Sequence, residues 1–179
     1  MHVPGDGQIV LDSSRELLEV VDEQDRVIGL ERRGVIHAKG LLHRSAQVLV
    51  FNSLGQLFVQ KRSAGKDEFP GLWDCSAAGH VNPGEAYRQC AQRELEEELG
   101  IRDAPGLERM CSFPASAETG FEHCMVFSCF HDGPMELQAE EIEEGRWLSP
   151  QEMDVWVADP GLALTPSQRS IWRTVRDRI

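Results

Sequence analysis

The chain has 179 residues, 41% of them hydrophobic and 27% charged, with a formal net charge of −12. These values suit one domain with a sizeable core and exclude a wholly disordered chain. A broad phosphate-gripping surface is basic, so the acidic balance argues against a nucleic-acid groove.

The five cysteines, Cys75, Cys90, Cys111, Cys124 and Cys129, are odd in number, irregularly spaced and without a CxxC pair. Neither a disulfide framework nor a zinc site is expected, and free thiols suit a reducing cytoplasm. The N-terminus lacks the basic and apolar runs of a signal peptide. No stretch approaches the roughly 20 apolar residues of a membrane span. The expected setting is cytoplasmic, with no membrane and no nucleic-acid partner; a homodimer is left open.

In chain order, residues 1–14 are expected to be a loose arm before a single domain over 15–179. ELLEVVD and VIGLERR read as strands around a turn at 22–26. Residues 34–43 read as a connector carrying His37 and His43. SAQVLVFN and QLFVQKRS predict a hairpin around Asn52–Gly55. GKDEFPGLWD is a loop and CSAAGHV a short strand. Residues 85–99 form the strongest predicted helix, stopped by Gly100. LERMCSFPAS, EHCMVFSCF and EEIEEGRWL follow as strands. Ser149-Pro150 and Thr165-Pro166 each combine a capping side chain with a proline tolerated in a first turn. They open a short helix and a last helix through Ile179. Mixed strands with about three helices predict an α/β/α sandwich, of α/β (α+β) class, with a mixed central sheet.

The helix is the unusual element. Glu94, Glu97 and Glu98 stand at i, i+3 and i+4 and share one face, while Glu96 points elsewhere. Leu95, Leu99 and Ala91 form an adjacent apolar edge. Like charges one turn apart repel, and anions near a helix C-terminus oppose the macrodipole. A solvated acidic face is the plain reading. A divalent cation among the carboxylates explains both costs, and hard oxygen ligands suit Mg²⁺ or Mn²⁺.

The stretch GHVNPGEAYRQCAQRELEEELGI resembles the Nudix signature, G-x5-E-x7-R-E-U-x-E-E-x-G-U with U apolar, at every fixed position. The matching residues are Gly79, Glu85, Arg93, Glu94, Leu95, Glu97, Glu98, Gly100 and Ile101. The resemblance implies a Nudix-type sandwich. It also implies metal-dependent hydrolysis of a diphosphate linkage, typically a nucleoside diphosphate joined to a group X. It assigns Glu94, Glu97 and Glu98 to the metal and to the attacking water, and the Gly79 carbonyl as a further ligand. Glu85 and Arg93 are implied to be a supporting ion pair.

LLHRSAQVLVFN, VQKRSAGKDEFPGLWD and GHVNPGE resemble the subgroup related to isopentenyl diphosphate isomerase. That isomerase carries a cysteine where this chain has Ala78, and its box is degenerate where this one is complete; both departures favour hydrolysis. Cys75 is expected, by strand alternation, to face away from Ala78. The isomerase also holds metal through histidines. His43, His80 and Glu122 match parts of that site, His37 is one residue out of register, and Gly120 stands where another carboxylate would be. A hydrogen-bonded structural role is the plain reading of each histidine.

Lys61, Arg62 and Lys66 are candidates for phosphate contact beside ordinary surface charge. Glu144, then Glu141, are candidates for an extra acid in the run 140–144. Alternation places Glu141 with Glu143 and Glu140 with Glu144. Phe69 and Trp73 offer either a stacking face or core packing, with core favoured for Trp73. The competing functions are an isopentenyl diphosphate isomerase-like enzyme and a non-catalytic, ligand-sensing Nudix domain.

Overall fold

The computed structural model describes residues 15–102, 104 and 106–179; the expected arm over 1–14 lies outside them. Leu17–Val21 (β1) and Val27–Arg32 (β2) form a separate antiparallel ribbon. Its turn is set by Asp22, whose Oδ1 accepts the amides of Gln24 and Arg26 at 2.9 Å each.

The expected connector then proves to be a helix, Arg33–Lys39 (α1). It is seven residues long, buries Ile36, and ends on Gly40 at φ 62°, a conformation glycine adopts without steric cost. Arg32, at its N-cap, makes no side-chain capping bond, so the usual start signal is missing.

The main sheet is built on His43–Phe51 (β3). It runs parallel to Glu122–Phe130 (β8) along its whole length. Its first half pairs antiparallel with Ala77–His80 (β6). Leu57–Arg62 (β4) meets β3 only where Phe51 faces Leu57. The expected hairpin therefore joins at its tip alone, because β6 takes the place beside β3 from which β4 has turned away. β4 carries Trp73–Asp74 (β5) and Ile142–Leu148 (β9), and Glu108–Phe113 (β7) closes the far side against β8. One parallel pairing among antiparallel ones makes the sheet mixed, as expected.

Alternation along β3 divides the core. Ala46, Val48 and Val50 face Tyr87–Leu99 (α2). Leu49 and Phe51 face a second cluster, under Pro150–Ala158 (α3) and Pro166–Val175 (α4). Both predicted caps are present: Ser149 Oγ accepts from Glu152 N and Thr165 Oγ1 from Gln168 N, at 3.2 Å each. The last helix stops at Val175 and continues only as a 3₁₀ turn, Arg176–Arg178. The fold is thus a mixed α+β sandwich with four helices among the described residues, one more than the sequence suggested. No described helix is long and apolar enough to cross a membrane.

Candidate active site

Ala91, Leu95 and Leu99 are fully buried and hold α2 on the sheet. The adjacent face therefore turns inward too. Glu94 and Glu98, one turn apart, are 8% and 5% exposed, an unusual depth for carboxylates. Glu97 stays at the rim and Glu96 turns out to Arg102, 3.1 Å away. Burial pushes the Glu94 carboxyl up to about 7. Burial, joined by the neighbouring Glu94, pushes Glu98 up to about 8.

Gly79 is a spatial necessity. A Cβ there would lie 1.8 Å from Glu94 Oε1, so the carboxylate occupies the space a side chain would need. Glu98 is oriented by Gln60, whose Nε2 donates to Glu98 Oε2 at 2.6 Å and to the Ser76 carbonyl at 3.1 Å. The sequence reading missed Gln60, which belongs to a strand that reaches α2 only through the fold.

Arg93 ties the acidic face together. Its Nε and Nη2 donate to the two Glu85 oxygens at 2.9 and 3.0 Å. Its Nη1 donates to Glu94 Oε1 at 2.5 Å and to Glu97 Oε2 at 3.1 Å, and its Nη2 also reaches the His80 carbonyl at 2.9 Å. Glu85 in turn accepts from Asn82 N at 2.9 Å, closing the loop before the helix. Against the effect of burial, these donors hold Glu85 below the usual carboxylate range.

The basic candidates separate. Lys66 forms an ion pair with Glu141, and its ammonium bears on both Glu94 and Glu98. Lys61 pairs instead with Glu143 at 2.8 Å. Arg62 is held by Asp74 at 3.2 Å and by the Glu68 carbonyl at 3.0 Å. The two extra-acid candidates separate as well. Glu144 stands opposite Lys61, one residue out of phase with Gln60 and so on the other face of the sheet, where Arg146 binds it at 2.6 Å. After burial and Glu94, the carboxylate of Glu141 adds a smaller upward push on Glu98. A register shift at Lys61–Arg62 breaks the simple alternation of the acidic run.

A second cluster forms on the opposite side of β6. The rings of His37, His43 and His80 have centroids 5.0, 5.1 and 5.3 Å apart, and their candidate ligand atoms all lie within 4.8 Å of one another. His43 Nδ1 donates to the Leu41 carbonyl at 3.0 Å, and His37 Nδ1 to Glu68 Oε1 at 2.8 Å. Both bonds place the proton on Nδ1 and leave the Nε2 lone pair facing inward. Both Nε2 atoms are buried without a hydrogen-bond partner. Glu122 Oε1 completes the group, 3.3 Å from His80 Nε2 and 3.5 Å from His43 Nε2. Inward nitrogen lone pairs and one carboxylate are a donor set that fits a borderline divalent cation. A cleft of about 320 Å³, lined by Arg33, Gly34, His37, Asp67 and Glu68, opens beside it. A hollow of about 400 Å³ by Asp154, Trp172 and Arg176 contains none of the candidate residues.

The sequence pointed to His43, His80 and Glu122 and set His37 aside as out of register. Helix α1 and the left-handed Gly40 shorten that path and bring His37 in. Trp73 is core, between Trp156 at 5.2 Å and Arg146 at 5.0 Å, while Phe69 is exposed at φ 49°. Cys75 does not face away from Ala78: both belong to the packing under α3 and α4, because the strand breaks at 75–76 and alternation does not carry across.

A mixed α+β sandwich bearing a carboxylate-lined helix on one face defines the Nudix class of domain. The NUDIX domain family model matches residues 41–166, and the chain belongs to the Nudix family. It is 46% identical over 139 residues to an uncharacterised Nudix hydrolase of Pseudomonas aeruginosa, covering 78% of this chain and 82% of that one. It is 36% identical over 147 residues to the uncharacterised Nudix hydrolase YfcD of Escherichia coli K12, covering 79% and 78%. Among solved structures it resembles DR0079 of Deinococcus radiodurans, with a TM-score of 0.78 and 30% identity over 88% of this chain and 98% of that one.

Proposed function

We propose that this chain hydrolyses the diphosphate bond of a small metabolite, a nucleoside diphosphate linked to a group X, using Mg²⁺ or Mn²⁺ in the cytoplasm. The carrying observation is the pair Glu94 and Glu98: two carboxylates buried side by side, against the ordinary preference of anions for water. Their hard oxygens, with Glu97 at the rim and the Gly79 backbone beneath, are the donors for the cation. When bound, the cation neutralises the diphosphate, stabilises the leaving phosphate and acidifies an attacking water. Arg93 and Glu85 hold the carboxylates in position. Lys66 meets the phosphates, and Glu141, its partner, is the extra acid beside the water.

A second reading belongs to the other side of β6. His37, His43, His80 and Glu122 form a separate site for a borderline divalent cation, supported by the unpartnered Nε2 atoms of His37 and His43. That site favours an isopentenyl diphosphate isomerase-like activity as the competing function, and Ala78, in place of a cysteine, speaks against it.

The test is a chromatographic screen for release of hydrolysis products with Mg²⁺ or Mn²⁺ over nucleoside di- and triphosphates, sugar nucleotides, dinucleotides and isopentenyl diphosphate, beside Glu97→Gln and Glu98→Gln. Metal-dependent release from one nucleotide class, lost in both variants, is the expected result. Interconversion of isopentenyl diphosphate without phosphate release would replace hydrolysis by isomerisation. Intact metal binding with no turnover would leave a ligand-sensing domain.

A further inference from the structure

The loop between β4 and β5 stands between the two clusters. Its base is anchored: Arg62 N donates to the Leu72 carbonyl at 2.9 Å, and Gly71 N to the Arg62 carbonyl at 3.0 Å. Ser63 binds the 140–141 segment twice, through its amide to the Glu141 carbonyl at 2.9 Å and its hydroxyl to the Glu140 carbonyl at 2.7 Å. Between these anchors, three successive charged side chains leave the loop in different directions. Lys66 goes to Glu141, beside the carboxylates of α2. Asp67 goes to Arg33 on α1, at 3.5 Å. Glu68 goes to His37 Nδ1, at 2.8 Å.

We propose that this loop couples the two sites, with Glu68 as the positioning residue that transmits cation occupancy of the histidine cluster to Lys66. The inference rests on the histidine-site reading given above. A cation held by His37 Nε2 withdraws electron density from the ring, and its Nδ1–H becomes a stronger donor to Glu68. The loop then loses freedom two residues from Lys66, and the ammonium is kept where an incoming phosphate meets the carboxylates of α2. Arg62 reinforces the path, since its Nε holds the Glu68 carbonyl at 3.0 Å. Coupling of this kind is reciprocal: an anion that engages Lys66 changes cation affinity at the histidines by the same factor.

The test uses the full chain with Mg²⁺ in excess, so that oxygen sites are filled by a cation that imidazole binds poorly. Co²⁺ is the probe. Its visible absorption reports binding at the histidines, and hydrogen exchange of peptides covering residues 63–72 reports the loop. In the wild type, Co²⁺ should give an absorption band that is lost in His43→Gln and in the more accessible His37→Gln. It should also slow exchange in the loop by about tenfold. In Glu68→Gln at saturating Co²⁺ the band should remain and the slowing should disappear. A band with loop exchange unchanged by Co²⁺, or slowed equally in Glu68→Gln, overturns the coupling and leaves the histidine site standing. No histidine-dependent band overturns both.

Discussion

In the proposed reaction, Glu98 and the amide of Gln60 that aims it matter most among single residues. A carboxylate that is buried and aimed by one amide loses its direction when the amide is removed. Truncation of such outer partners costs about 10–100-fold in metal affinity or activity. Gln60→Ala should therefore lower turnover by that factor, with Glu98→Gln losing more, and circular dichroism should show both folded. Equal activity in Gln60→Ala and wild type would detach Gln60 from the site. The box residues were legible in the sequence because their spacing is local: one helix and the loop before it carry them all. Gln60, Glu68 and the Lys66–Glu141 pair were not, because each meets its partner across more than one element. His37 was half legible, since its residue type was right and its path was hidden by a helix without a capping side chain.

Helix α2 shows how packing and titration are joined at the element scale. Its apolar edge places Leu95 at full burial, and Leu95→Ala should cost about 2–5 kcal/mol by chemical denaturation. The same packing buries the carboxyls. Their ordinary value is 4.5, and in the fold they are raised to about 7 and about 8. The folded state thus holds protons that the unfolded chain has released. Stability from these groups is complete below about pH 4.5 and is lost as pH rises through 7 to 8. The metal-free melting temperature should fall between pH 5 and pH 8, more steeply in the wild type than in Glu98→Gln. Saturating Mn²⁺ should remove the difference. A wild-type slope no steeper than that of the variant would contradict the burial argument. Helix α2 was readable from its periodicity and Gly100. The β3–β4 hairpin was only partly so: local sequence marks two strands and a turn but does not reveal that β6 intervenes.

At the scale of the molecule, the sheet is a partition. Its α2 face carries the glutamates, its other face the histidines, and β6 separates them with Gly79 turned one way and His80 the other. The loop 63–72 reaches both, through Lys66 on one side and Glu68 on the other, and is the proposed route for cation control. The sandwich itself was foreseeable from the order of strands and helices. The pairing of β3 with β8, distant in sequence and parallel in space, was not. In the proposed reaction, water attacks phosphorus at Glu94, Glu97 and Glu98. Its most direct test is turnover in H₂¹⁸O of the nucleotide substrate found by the screen, followed by mass spectrometry of the products. One ¹⁸O per turnover in a phosphate product, with the labelling rate reduced at least about a hundredfold in Glu98→Gln, is the predicted result. Label in the non-phosphate product, or an unchanged rate in Glu98→Gln, would contradict it.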